Sequence, residues 1–391
     1  MKKRIALAIC LALVLSLILP AAVRAEEVSL QAPSAILMES RTGTVIYEKN
    51  QDEIRSPASI TKIMTLLLIF EALEKNQISL EDKVITSAYA KSMGGSQVFL
   101  EEGEEQTVDT LIKCIAVASG NDASVAMAEY IAGSEEAFVS QMNEKAGELN
   151  LEHTHFVDCC GLSNSDEHYT TAHDVAVISR ELITRFPKIF DYTTIWMEDI
   201  THVTAKGEST FTLSSTNKLL KQYPYATGLK TGSTDKAKYC LSATAKKDDV
   251  ELIAVVMGAP DHKVRFEDCK TLLNYGFSKV AFYEDRQEAD FVPVPIEGGV
   301  EDEVGVSCEK PFVYLDMEGS DLGSIRKEER LPESIAAPVE KGEKVGEVVY
   351  FLQDKKIGEI AIVTKSRVAR ATISHTFRKA FGKWLLGKEE M

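Results

Sequence analysis

The stretch Ser56-Pro57-Ala58-Ser59-Ile60-Thr61-Lys62-Ile63-Met64-Thr65-Leu66-Leu67-Leu68-Ile69-Phe70 decides how this 391-residue chain is read. From Ile63 to Phe70 the residues are apolar nearly all round, so the pattern predicts a helix buried on every side and opened just after Pro57. A serine at the start of a buried helix meets unpaired backbone N–H groups and the positive end of the helix dipole, which together stabilise a developing anion. Lys62 follows Ser59 by three residues on the same face, within reach of its hydroxyl. A desolvated amine beside a second cation loses its proton more readily and can then serve as a base. The competing reading makes Ser59 a helix N-cap and Lys62 a solvated first-turn residue.

The Ser-x-x-Lys pattern alone is weak, since roughly one or two matches arise by chance in a chain of this length. Ser215 with Lys218, Ser233 with Lys236 and Ser324 with Lys327 fit it as well, but none has an apolar helix behind it. Two further motifs favour the first match. Ser119-Gly120-Asn121 separates two helix-like stretches, Thr107 to Ala118 and Asp122 to Ala132, and so reads as a tight interhelical loop. There a second hydroxyl relays a proton and an amide holds a substrate carbonyl, although the same tripeptide is also ordinary capping chemistry. Lys230-Thr231-Gly232 stands at the start of a predicted hairpin: Tyr239 to Thr244, a turn at Asp248-Asp249, then Val250 to Met257. A strand edge there pairs with an extended peptide, Gly232 admits it closely, and Lys230 and Thr231 face its carboxylate with Arg265 as a second cation. Taken together, the three motifs outline a serine acyl-transfer site.

With these residues in view, the chain resembles the low-molecular-mass penicillin-binding proteins that are D-alanyl-D-alanine carboxypeptidases. Besides the three motifs, the resemblance takes in Ala35 to Ser40 with Gly43 to Tyr47, Gly161-Leu162, His168 to Ala172, and Gly228 to Gly232. It implies an α/β (α+β) catalytic domain of the serine β-lactamase/transpeptidase type, with an antiparallel sheet and a helical subdomain, followed by a small all-β domain. It also implies that Ser59 is the acylated nucleophile, Lys62 its base, and Ser119 and Asn121 participants in proton transfer and substrate positioning. Lys230, Thr231 and Arg265 would bind the terminal carboxylate beside Gly232, and the backbone N–H groups of Ser59 and Ser233 would form the oxyanion hole. Three positions depart from the family pattern: Lys238 where a glycine is usual, Ser233 where an aromatic or histidine is common, and the pair Cys159-Cys160 before Gly161.

The N-terminus carries Lys2-Lys3-Arg4, an apolar run from Ile5 to Leu19, and small residues at Val23-Arg24-Ala25, which reads as a signal peptide over residues 1–25. Its removal takes four basic and no acidic residues, so the formal net charge moves from −16 to −20. A balance this acidic argues against nucleic-acid binding and leaves local cations to attract an anionic peptide. Six cysteines remain, at 114, 159, 160, 240, 269 and 308. Their spacing matches no zinc motif, adjacent Cys159 and Cys160 bridge each other only under strain, and buried free thiols are expected. His153-x-His155 has no matching pair, and the chemistry needs no cofactor or metal.

Residues 27–283 mix strands and long helices and suffice for one large catalytic core. Residues 284–368 offer short apolar strands separated by acidic and glycine-containing turns, at Val292-Pro-Val-Pro, Val304-Gly-Val-Ser, Phe312 to Leu315, Val345 to Phe351 and Ile357 to Val363, a small β-domain without a catalytic motif. From Lys365 to Met391 seven basic residues face two acidic ones. Ile373, Phe377, Phe381, Trp384 and Leu385 form one helical face flanked by Arg378, Lys379, Lys383 and Lys388, so residues 369–391 read as a basic amphipathic helix suited to an anionic membrane surface. The alternative is a terminal helix docked on the protein's own core.

The expected activity is therefore removal of the terminal D-alanine from peptidoglycan stem pentapeptides through a Ser59 acyl-enzyme. β-Lactams are the expected covalent inhibitors, and the outer face of the cytoplasmic membrane the expected location. The alternatives are an endopeptidase acting on crosslinks, a β-lactamase, against which the β-domain and basic tail count, and a penicillin-binding sensor or scaffold that acylates without turnover.

Overall fold

The computed structural model describes residues 28–204, 207–285 and 291–386. The leader read over residues 1–25 and the last five residues, with Lys388, lie outside them. Five strands form the central sheet: β1 (Ser34–Glu39), β2 (Val45–Lys49), β3 (Ala226–Thr234), β4 (Lys238–Lys247) and β5 (Val250–Ala259). Their order is β2-β1-β5-β4-β3, every neighbour antiparallel, with Ile36 opposite Val255, Ala243 opposite Ala254 and Gly232 opposite Cys240. The first strand thus closes on the last, and β3 is left at an edge.

Because side chains alternate across a strand, the sheet has two apolar faces, and each needs a cover. Leu37, Leu241, Leu252, Ala254 and Val256 pack on one face against Phe266, Leu272 and Leu273 of a C-terminal helix, Val264–Lys279. The other face, with Ile36, Met38, Ile253, Val255 and Met257, meets the helical half of the domain. That half contains α1 (Lys62–Glu74), α2 (Val108–Ala116), α3 (Asn121–Ala132), α4 (Glu135–Glu148) and α5 (Ala172–Arg185); Val264–Lys279 is α6.

The apolar run behaves as its composition predicts: every residue of α1 from Lys62 to Ala72 is buried. Glu71, the acidic member of that run, is held by Lys145 Nζ of α4 at 2.8 Å and Arg185 Nη1 of α5 at 2.6 Å, so its charge is paired at the junction of three helices. A 3-10 turn, Ala58–Thr61, leads into α1, and Ser59 belongs to it. Thr61 precedes α1 without a side-chain cap, so the N-cap reading of Ser59 is not realised.

Ala281–Asp285, directly after α6, pairs with Phe312–Asp316 of the C-terminal region. That region is all-β, its longest sheet ordering Val306–Cys308, Lys355–Thr364, Lys344–Leu352 and Arg326–Arg330. Its core gathers Val294, Val306, Val348, Ile360 and Ile362 around Phe312, whose ring stacks on Tyr350 at 3.7 Å. Sequence reading did not foresee Arg326–Arg330, because five charged residues on an exposed edge strand carry no apolar alternation. The last described element is α7, Ile373–Leu386, with Ile373 92%, Phe377 72% and Phe381 52% exposed. Among the described residues no helix is long and apolar enough to cross a membrane.

Candidate active site

Ser59, Lys62, Ser119, Asn121, Lys230 and Gly232 come together where the N-terminal end of α1, the α2–α3 loop and the edge strand β3 meet. The selected serine and lysine are in contact: Lys62 Nζ donates to Ser59 Oγ at 3.1 Å. The other Ser-x-x-Lys matches lack that surrounding. Lys236 Nζ bonds Asp166 and the Asn164 and Ser165 carbonyls, while Ser324 Oγ donates to the Asp321 carbonyl.

Lys62 is fully buried, whereas Ser59 is half-buried and open to a substrate. Besides Ser59, Lys62 Nζ donates to Asn121 Oδ1 at 2.6 Å and to the Cys160 carbonyl at 2.8 Å. Burial pushes its amine below the ordinary lysine value, opposed by the nearby carboxylates of Asp158 and Asp122. Of the two causes that the sequence reading joined, desolvation and a second cation, burial is the leading one. Lys230 is pushed well below its ordinary value by burial, then by the charges of Lys62 and Arg265.

The Ser119-Gly120-Asn121 tripeptide is the expected interhelical loop, with Ser119 in the left-handed region at φ 62° and Asn121 opening α3. Asn121 is pinned at both ends of its amide, because Nδ2 donates to the Gly94 carbonyl at 2.7 Å and Oδ1 accepts from Lys62. One Nδ2 hydrogen remains for a substrate carbonyl. The loop is held from below by Asp122, whose carboxylate accepts from the backbone N–H groups of Val98, Leu100 and Ala123.

Lys230 reaches across from β3 and donates to Ser119 Oγ at 2.9 Å and to the Thr231 carbonyl at 3.1 Å. The Lys-Thr-Gly motif lies inside β3 and not before a strand, because the whole segment Ala226–Thr234 pairs with β4. Gly232 is pressed on the nucleophile turn: a Cβ there would stand 2.8 Å from the Pro57 carbonyl and 3.0 Å from Ser59 N. Thr231 Oγ1 donates to Thr216 Oγ1 at 2.7 Å, and Ser233 follows on the exposed end of the edge. Arg265 lies behind the strand, stacked over Phe266 and Tyr239, and spends Nη1 on the Gly232 carbonyl at 3.1 Å and the Cys240 carbonyl at 3.4 Å. Its charge thus bears on the edge through the Gly232 carbonyl.

Several supports escaped the sequence reading because they act through backbone or through partners distant in sequence. Gly161, at φ 75°, packs so tightly on the turn before Ser59 that a Cβ would fall 1.7 Å from the Ala58 carbonyl. Asp158 accepts from the N–H groups of Cys160, Gly161, Leu162 and Ser163, fixing the turn that presents the Cys160 carbonyl to Lys62. His168 is buried, its Nδ1 accepting from Val157 N and its Nε2 facing Thr61 Oγ1 at 2.9 Å, which fixes a neutral ring with the proton on Nε2. The six cysteines form no disulfide, and five are buried. Among the described residues the single grouping of three metal-type ligands is Glu135, Cys159 and Cys160.

Comparison with known proteins bears on the chain as a whole. Residues 21–261 match the family model for D-alanyl-D-alanine carboxypeptidase, and residues 277–370 match that for the C-terminal domain of penicillin-binding protein 5. The chain is 41% identical over 365 residues to the D-alanyl-D-alanine carboxypeptidase DacF of Bacillus subtilis, covering 92% of each. It is 32% identical over 400 residues to DacC of Escherichia coli, covering 95% of each. Penicillin-binding protein 5 of Haemophilus influenzae superposes with a TM-score of 0.74 at 28% identity, over 88% of this chain and 98% of that one.

Proposed function

The chain belongs to the D-alanyl-D-alanine carboxypeptidase family and is a serine-type carboxypeptidase of the cell wall, and from that premise we propose that Ser59 is its nucleophile and Lys62 its general base. The 3.1 Å contact between the Lys62 amine and the Ser59 hydroxyl, in a site where burial lowers the amine's proton affinity, carries this assignment. Neutral Lys62 takes the hydroxyl proton as Oγ attacks the carbonyl between two terminal D-alanines. The backbone N–H groups of Ser59 and Ser233 receive the oxyanion. Ser119, hydrogen-bonded to Lys230, relays that proton from Lys62 to the departing amine, so D-alanine leaves with a neutral amine, Lys62 is again the free base and the acyl-enzyme remains. Water then enters by the reverse proton route and frees Ser59. Asn121 positions Lys62 through Oδ1 and the peptide through its remaining N–H, while Lys230 and Thr231 take the terminal carboxylate at the β3 edge with Gly232 giving it room and Arg265 adding charge behind.

β-Lactams acylate the same serine in this scheme, their strained ring carbonyl taking the place of the peptide. Residues 27–283 constitute the catalytic unit and 284–368 a β-domain that sets its position relative to the substrate. The tail from residue 369 is the attachment, supported by the exposed Ile373, Phe377 and Phe381 and by the basic residues of that sequence. The names of the relatives favour a carboxypeptidase over an endopeptidase or a non-turnover binding module.

Mass spectrometry of a stem pentapeptide ending in D-Ala-D-Ala, incubated with the mature protein and with Ser59→Ala, tests the assignment. Loss of one alanine with the wild type and none with the variant is expected. Equal loss with both would place the nucleophile elsewhere.

A further inference from the structure

Beside Lys62, whose amine bonds the Cys160 carbonyl, Cys159 and Cys160 bring their sulfurs to 3.6 Å from each other, and Cys160 Sγ donates to the Asn121 carbonyl at 3.5 Å. Adjacent residues of an extended chain direct their side chains to opposite sides. Here the Asp158-capped turn and two hydrogen bonds from α1 hold both cysteines in a bend, with Thr65 Oγ1 donating to the Cys159 carbonyl at 2.6 Å and Lys62 Nζ to that of Cys160. Glu135, the first residue of α4, faces them, and its carboxylate and the two sulfurs lie within 4.8 Å of one another.

We propose that Glu135, Cys159 and Cys160 form a binding site for one thiophilic divalent cation of the Zn²⁺ type. Two thiolates at about 2.3 Å on a tetrahedral zinc stand roughly 3.7 Å apart, close to the spacing already present, so the sulfurs need hardly move. The carboxylate is oriented in advance: Oε1 accepts from Cys159 N at 3.0 Å and Oε2 from Tyr89 OH at 2.7 Å, the kind of outer support that ligating carboxylates have. A surface cavity of about 650 Å³, with Tyr89, Phe156 and Val157 on its wall, reaches Glu135, the member of the group nearest solvent. Burial holds Cys159 as a thiol, so uptake exchanges two S–H protons for the metal and releases them to solvent, with no oxidation. Softness of the donors selects Zn²⁺, Co²⁺ or Cd²⁺ over Mg²⁺ or Ca²⁺.

The test titrates the reduced, full-length mature protein with Co²⁺ and, by calorimetry in buffers of different protonation enthalpy, with Zn²⁺ alone. Expected are one equivalent bound, two protons released at pH 7 and a thiolate-to-cobalt absorption in the near ultraviolet. Cys159→Ser/Cys160→Ser should lose the band and Glu135→Gln should weaken binding, while far-ultraviolet circular dichroism and a cooperative melt like those of the wild type show that both remain folded. Absence of the thiolate band in the wild type, or its survival in a folded double variant, overturns the site.

Discussion

Lys230 Nζ and Ser119 Oγ are joined across 2.9 Å, and the bond ties the sheet edge to the loop of the helical half. Ser119→Ala removes the acceptor and the proton relay together. A fall of about 10²–10⁴ in kcat/KM on a D-Ala-D-Ala peptide is expected, with the melting temperature near that of the wild type. A loss below tenfold would reduce Ser119 to a spacer.

The amines of Lys62 and Lys230 are both depressed, chiefly by burial. The base must be neutral to act, so the acylation rate should rise with pH and level off below the ordinary lysine value of about 10.4, with an apparent pKa that belongs to the interacting pair. Stopped-flow acylation by a fluorescent penicillin measures the limb. A rate still climbing at pH 10.5 would show an unperturbed base.

Gly161 and Gly232 both face backbone that cannot retreat. Gly232→Ala should slow acylation and destabilise by about 1–3 kcal/mol through overpacking on the Ser59 turn. Gly161→Ala adds a positive φ to a closer clash and should be the worse of the two in denaturant titration. Equal stability of the two variants would mean that the Ala58 carbonyl moves aside freely.

Burial depresses the His168 pKa, with Asp158 partly opposing. The folded state therefore binds that proton less readily than the unfolded chain. The stability contributed is complete above the unfolded value of about 6.5 and is lost as pH falls through the folded one. His168→Gln should show a smaller drop in melting temperature between pH 7.5 and pH 5 than the wild type, and an identical drop would assign acid sensitivity to other groups.

Deleting residues 370–391 should release active enzyme from membranes, as judged by penicillin labelling of supernatant and pellet. Retention in the pellet would point to another attachment.

The nucleophile helix was legible because an apolar run beginning right after a serine leaves few other readings, and the hairpin from Lys238 to Ala259 because its Val and Ile stretch flanks an Asp-Asp turn. β3 was only half legible: Gly228, Lys230 and Gly232 have weak strand preference, and the segment is extended because it pairs along β4. The hairpin Met197–Thr204 with Gly207–Ser214 and the charged strand Arg326–Arg330 were not read, since both are largely exposed and lack an apolar signature. Ser59, Lys62, Ser119, Asn121, Lys230 and Gly232 come together, while Arg265 addresses a backbone carbonyl and Asn121 braces Lys62. The carbonyls of Ala58 and Cys160 were beyond reach of sequence reasoning, since any residue supplies a carbonyl and its placement depends on Asp158 and Gly161.

The three acceptors around Lys62 have a directional consequence. Two of them, Asn121 Oδ1 and the Cys160 carbonyl, are oxygens that accept and never donate. When the amine gives up its proton, its two remaining hydrogens stay with those oxygens, and the lone pair has one direction left, toward Ser59. The contact that Lys62 donated as an ammonium then runs the other way, with the serine hydroxyl as donor. Deprotonation alone therefore aims the base, and no side-chain rotation has to precede the attack.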